Sequence, residues 1–115
     1  MGSFATRQVV LLPFPYSDLS AQKLRPALIL ANADRGDWLL CQITSNPYAD
    51  PIAVELTQDS FVAGGLQRIS YARPSKLFTA HESLFSNIAG SLHSAAQASM
   101  VKAVVVIVRK GLMDE

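Results

Sequence analysis

Residues 26–44 read PALILANADRGDWLLCQIT, and this stretch decides the fold. Pro26 to Ala31 is almost continuously apolar, as expected of a strand buried on both faces. Asn32 to Asp37 carries turn chemistry, and Trp38 to Thr44 is again largely apolar. A connection of about six residues suits an antiparallel hairpin, whereas a parallel pair needs a much longer crossover.

Working outward, Val9 to Leu12 is a second short apolar run. It closes on Pro13-Phe14-Pro15, where two prolines force an extended exit and exclude a central ladder position. A polar loop from Tyr16 to Leu24 leads into the hairpin. On the other side, Ile52 to Leu56 reads as a fourth strand. Thr57 to Gln67, with Gly64-Gly65 inside it, is expected to be a longer mobile loop. Ile69 to Ala72 and Asn87 to Leu92 read as short strands, with Lys76 to Ser83 an irregular or single-turn segment between them.

The C-terminal stretch differs. Ser94-Ala95-Ala96-Gln97 fits a capping box, Val101, Val104, Val105 and Val108 recur at helical spacing, and Gly111 suits a left-handed stop. The branched run Val104 to Val108 pulls toward a strand, but end signals at both termini favour a helix. The expected architecture is a single domain over residues 1–115, mainly β, folded as a small antiparallel half-open barrel with one C-terminal helix.

With half of its 115 residues apolar, the chain can bury a core without staples. One cysteine, Cys41, and two histidines rule out a disulfide scaffold and make a poor zinc set. The longest apolar run, Ala103 to Val108, is far short of a membrane span, and the N-terminus lacks a signal-peptide core. A cytoplasmic address is expected, with no membrane association. Ten basic against nine acidic residues leave a net charge of +1, so any polyanion must be gripped by a local cluster.

Arg25 is the first candidate. The proline after it extends its backbone and sets a planar, five-donor cation at a sheet rim, suited to gripping a phosphate or carboxylate. The ordinary alternative is a solvated ion pair, for example with Asp18. Thr44-Ser45-Asn46-Pro47 ends the third strand, and the hairpin brings Thr44 to the same end of the sheet as Arg25. Hydroxyls there can donate to a phosphate oxygen, although such residues also terminate strands for purely local reasons. Arg68, Arg73 and Lys76 with Tyr71 form a short basic segment open to phosphate contacts and base stacking. His81 and His93 stand in no catalytic pattern, and Cys41 lies in a buried-strand pattern that favours packing. There is no P-loop, GxSxG, HExxH or carboxylate-rich metal motif, so no metal or cofactor is expected.

The order of segments resembles the PemK/MazF family of toxin ribonucleases. Residues 9–20 (VVLLPFPYSDLS) and 23–30 (KLRPALIL) are similar to its opening pattern, "V-L-V-P-F-P-F-[ST]-D-L-S" followed by "K-x-R-P-A-L-V-L". Residues 42–45 (QITS) resemble its "x-I-T-S", and residues 70–79 (SYARPSKLFT) its "S-x-x-R-x-x-K-L-x-T". Residues 88–92 (IAGSL) resemble "I-G-x-L" with one insertion, while Arg7-Gln8 stands where the family usually has Gly-Asp.

The resemblance implies an SH3-like barrel that forms a homodimer, cleaves single-stranded RNA at short sequences without a metal, and is neutralised by a cognate antitoxin. It implies catalytic roles for Arg25 and Thr44, with Ser45 in support. Ser17, Asp18, Gln22 and Lys23 would flank the RNA and read base edges, and Arg73 and Lys76 would hold phosphates. Two alternatives use the same fold: a non-enzymatic gyrase-binding toxin like CcdB, or an inactive interaction domain.

Overall fold

The computed structural model describes residues 4–14, 23–47 and 49–113. Its strands are β1 (Gln8–Phe14), β2 (Lys23–Asn32), β3 (Asp37–Thr44), β4 (Val54–Leu56), β5 (Phe61–Gly64), β6 (Ser70–His81) and β7 (Asn87–Leu92). One helix, α1 (Ser94–Met113), follows. All the strand pairs are antiparallel, in one sheet ordered β4-β6-β3-β2-β1-β7-β5. The mainly β half-barrel with a C-terminal helix is therefore as the sequence leads one to expect.

The central strands explain their own composition. Val9, Leu28, Leu30, Cys41 and Ile43 point to one core, which Met100 and Val104 of α1 complete. Val10, Leu12, Ala27, Ile29, Trp38 and Leu40 point to a second core on the opposite face, with Phe85. Strands covered on both sides need apolar residues at consecutive positions, which is why β2 does not alternate. Fully burying a side chain such as Leu28 is worth about 1.5–3 kcal/mol at most, so these strands carry much of the stability.

The prolines of β1 and β2 sit where pairing is one-sided. Pro13 pairs with Leu24, beyond the last β1–β7 pair at Leu11. Pro26 pairs with Leu11, just before the β2–β3 ladder begins at Ala27. A missing N–H costs no ladder bond at such positions.

Several expectations need correction. The excursion from Thr57 to Gln67 is not a free loop. It contains a 3-10 turn at Gln58–Ser60 and then β5, which pairs with β7 at the edge of the sheet. Gly90 permits that approach, because a Cβ on it would lie 2.7 Å from the Ala63 carbonyl oxygen. The fourth strand starts at Val54 rather than Ile52.

The segment expected to be irregular is largely strand, since β6 runs unbroken to His81. Its register against β3 jumps from Gln42↔Arg73 to Cys41↔Leu77, so residues 74–76 form a wide bulge. The bulge accommodates Pro74, which is fully buried.

The helix forms despite its branched run, but not with the expected end signals. Gln97 does not reach back to cap; its Nε2 turns inward and donates to the carbonyls of Ile29 (3.3 Å) and Leu30 (3.4 Å). The buried positions are Gln97, Met100 and Val104, at helical spacing, whereas Val101, Val105 and Val108 are 39%, 40% and 63% exposed. Gly111 lies inside the helix and stops nothing. No helix among the described residues is long and apolar enough to cross a membrane.

Candidate active site

The β2–β3 hairpin closes at Asn32–Asp37 and opens at the other end, where Arg25 and Thr44 stand. The ladder pairs Ala27 with Gln42, and the same register continued by two residues sets Arg25 opposite Thr44. A cavity of about 490 Å³ opens there, and Arg25, Thr44 and Ser45 all line it. Pro26 and Ile43 contribute apolar wall, and the β5–β6 connection forms the far side through Gly65, Leu66, Gln67 and Arg68.

The Thr44 hydroxyl is held by its own turn. It donates to the Asn46 carbonyl (3.0 Å) and accepts from the Asn46 N–H (3.1 Å). Rotating the hydroxyl proton away from the carbonyl keeps the second bond and frees the donor for an incoming oxygen. Ser45 and Arg25 are exposed. Ser70, buried in the floor, donates to the Arg68 carbonyl at 3.1 Å and so braces the far wall.

The other candidates separate. Arg73 does not line the cavity: its Nε donates to Asp50 Oδ2 at 2.9 Å, with both side chains largely buried. The Asp50 carboxyl is held below its ordinary range, first by that bond from Arg73 and then by the Ile52 N–H. Lys76 is exposed in the β6 bulge, adds to the positive field at Asp50, and also lies away from the cavity lining. Lys23 is exposed at the start of β2. Ser17, Asp18 and Gln22 lie outside the described residues.

Of the three basic residues that look alike in sequence, Arg68 is the one at the cavity. Only the path of β5 brings it there, and no local spacing signals that path.

The remaining reactive side chains have structural surroundings. Burial pushes the Cys41 thiol up to about 12, which leaves it protonated and unreactive at neutral pH. His81 caps the 3-10 turn at Glu82–Leu84, its Nδ1 accepting from the Ser83 N–H at 3.1 Å. Among the described residues no three His, Cys, Asp or Glu side chains cluster closely enough to hold a metal ion.

A family model for PemK-like, MazF-like toxins of type II toxin–antitoxin systems matches residues 5–108. The chain belongs to this family. No curated protein matches the sequence of this MazF-like chain. Solved structures extend the likeness of fold. A MazE–MazF complex (Form-II) from Deinococcus radiodurans has a TM-score of 0.73 at 18% identity, covering 94% of this chain and 97% of that one. A mycobacterial endoribonuclease in complex with its cognate antitoxin gives 0.71 at 15% identity, covering 94% and 95%. The Mycobacterium tuberculosis toxin MazF-mt6 gives 0.69 at 15% identity, covering 89% and 96%.

The MazF-like chain departs from its family's usual Gly-Asp start in a definite way. Arg7 adopts φ +77°, a left-handed conformation that glycine takes at little cost. Two backbone bonds hold it there: its N–H donates to Ile29 O (3.2 Å) and its carbonyl accepts from Leu92 N–H (2.8 Å). Gln8 closes the turn by accepting from the Ala5 N–H at 2.8 Å.

Proposed function

We propose that this MazF-like toxin is a sequence-specific endoribonuclease that cleaves single-stranded RNA without a metal, acts as a homodimer and is neutralised by a cognate antitoxin. The observation that supports it most directly is the shared cavity of Arg25, Thr44 and Ser45. The substrate carries its own nucleophile. The ribose 2′-hydroxyl releases its proton to water as its oxygen attacks the adjacent phosphorus, the P–O5′ bond breaks, and the 5′-oxygen takes a proton from water and leaves as a hydroxyl. The products are a 2′,3′-cyclic phosphate and a 5′-hydroxyl end.

The protein's task is then to align the phosphate and stabilise the charge that builds on its oxygens. Arg25 supplies a planar cation whose paired N–H groups match two phosphate oxygens. Its guanidinium keeps its proton too tightly for easy transfer, so its role is electrostatic. Thr44 donates to a non-bridging oxygen once its hydroxyl turns from Asn46, and Ser45 supports it from the rim. Lys76 lies off the cavity, so the phosphate contact assigned to it belongs to a more distant part of the RNA chain, whereas Arg73 is held against Asp50.

The test is cleavage of a single-stranded RNA oligonucleotide in the presence of a chelator. Arg25→Ala is expected to slow it by about 10²–10³-fold, with the melting temperature unchanged. A 2′-deoxy sugar at the cut site is expected to abolish cleavage. Intact RNA from wild-type protein, together with trapped gyrase–DNA complexes, would instead support the gyrase-binding alternative.

A further inference from the structure

A second cavity, of about 310 Å³, adjoins the first. The two share Leu66, Gln67 and Arg68, so the β5–β6 connection is a partition with a compartment on each side. Its backbone is pinned along its length. The Gln58 amide donates to Gly64 O (2.9 Å), Gly65 N–H donates to Ala89 O (3.1 Å), and Ser70 Oγ donates to Arg68 O (3.1 Å).

Between these anchors Gln67, Arg68 and Ile69 expose their side chains, Ile69 by 53%. Among the described residues Arg68 forms no salt bridge. The second compartment is apolar at its base, where Leu56 and Phe61 are buried, and carries the Gln58 and Gln67 amides at its sides. Its size lies at the lower end of the roughly 300–1,000 Å³ range of small-ligand sites.

We propose that this second compartment is a nucleobase subsite that sets part of the cleavage specificity. The inference rests on the ribonuclease reading, because it places a base beside a phosphate held at Arg25 and Thr44. In a single strand the bases are unstacked and can splay away from the backbone into a neighbouring pocket. Arg68, on the partition, faces both compartments and contacts the phosphodiester that crosses it. Gln67 reads one edge of the base with its amide, which can donate and accept at once. Leu56, Phe61 and Ile69 supply the apolar contact that any base face accepts. A base with a mismatched edge forfeits the hydrogen bonds to the Gln67 amide and binds less well.

The experiment compares wild type, Gln67→Ala and Ile69→Trp, the last of which fills the compartment, with Ser99→Trp on the exposed side of α1 as control. Each is incubated with RNA carrying a randomised segment, and both the cut ends and the strands retained by the protein are sequenced. The expected result is that base preference at one position beside the cut falls about tenfold in both compartment variants and not in the control. Melting temperatures within the wild-type range show that the variants fold. Preferences identical to wild type in both compartment variants would overturn the subsite. If wild type retains RNA without cutting it, loss of base preference among retained strands upholds the subsite while the nuclease reading fails. If wild type neither cuts nor retains RNA, both fall.

Discussion

The two ends of the β2–β3 hairpin are made from the same strands and are used differently. At the closed end, polar groups satisfy one another: Asn32 Oδ1 accepts from Asp34 N–H (2.6 Å), Gly36 O accepts from Glu82 N–H (2.8 Å), and Trp38 Nε1 donates to Glu82 Oε1 (3.0 Å). Asp34, Arg35 and Gly36 all lie at positive φ, a strained tip held by these bonds. At the open end Arg25, Thr44 and Ser45 surround a cavity instead. The closed-end groups hold one another as scaffold, whereas those at the open end line a depression that a ligand can enter.

That contrast can be broken by mutation. Thr44→Val at the open end is expected to reduce RNA cleavage by about 10²-fold while costing only about 1 kcal/mol of stability, read from single-turnover rates and urea unfolding. Cleavage at the parent rate would remove Thr44 from the site. Gly36→Ala at the closed end should do the reverse. At φ +83° the added Cβ is strained and meets the His81 ring, so stability falls by about 1–2 kcal/mol while cleavage per folded molecule is unchanged.

The mildest test concerns the pair that joins Asp50, in the loop that follows Thr44, to Arg73 of β6. The Asp50 carboxyl is depressed in the folded state, so below its ordinary value of 3.8 the unfolded chain binds the proton first. The pair's contribution is complete above that value and fades as pH falls through the lower, folded one. Asp50→Asn is expected to flatten the acid limb of a melting-temperature profile, and an unchanged limb would show that the pair is not coupled to folding.

The central strands were legible because burial on both faces leaves uninterrupted apolar runs, as in Pro26 to Ala31. The edge was not. In β5 only Phe61 is buried, and Val62, Ala63 and Gly64 face solvent, so no pattern of alternation or continuity marks it as strand. In β6 the proline at 74 argues against a strand locally, and only the three-residue bulge reconciles it with the ladder. The valine spacing marks a helix but not its buried face, because one of the residues that turn inward is an amide.

At the site, the hairpin register made the meeting of Arg25 with Thr44 readable from strand ends alone. The partner of Arg73 lies 23 residues away in a loop, a separation that no motif encodes. The same blindness hid Arg68, whose position depends on the unread strand before it.

The inward amide of Gln97 has a mechanical consequence. It ties α1 to two successive carbonyls, Ile29 and Leu30, at the point where the β2–β3 register slips. Sliding the helix by one turn would strand that amide in hydrocarbon. The register slip in the hairpin thus keys the helix like a notch in a rail, fixing its axial position while leaving its outer side free of that constraint.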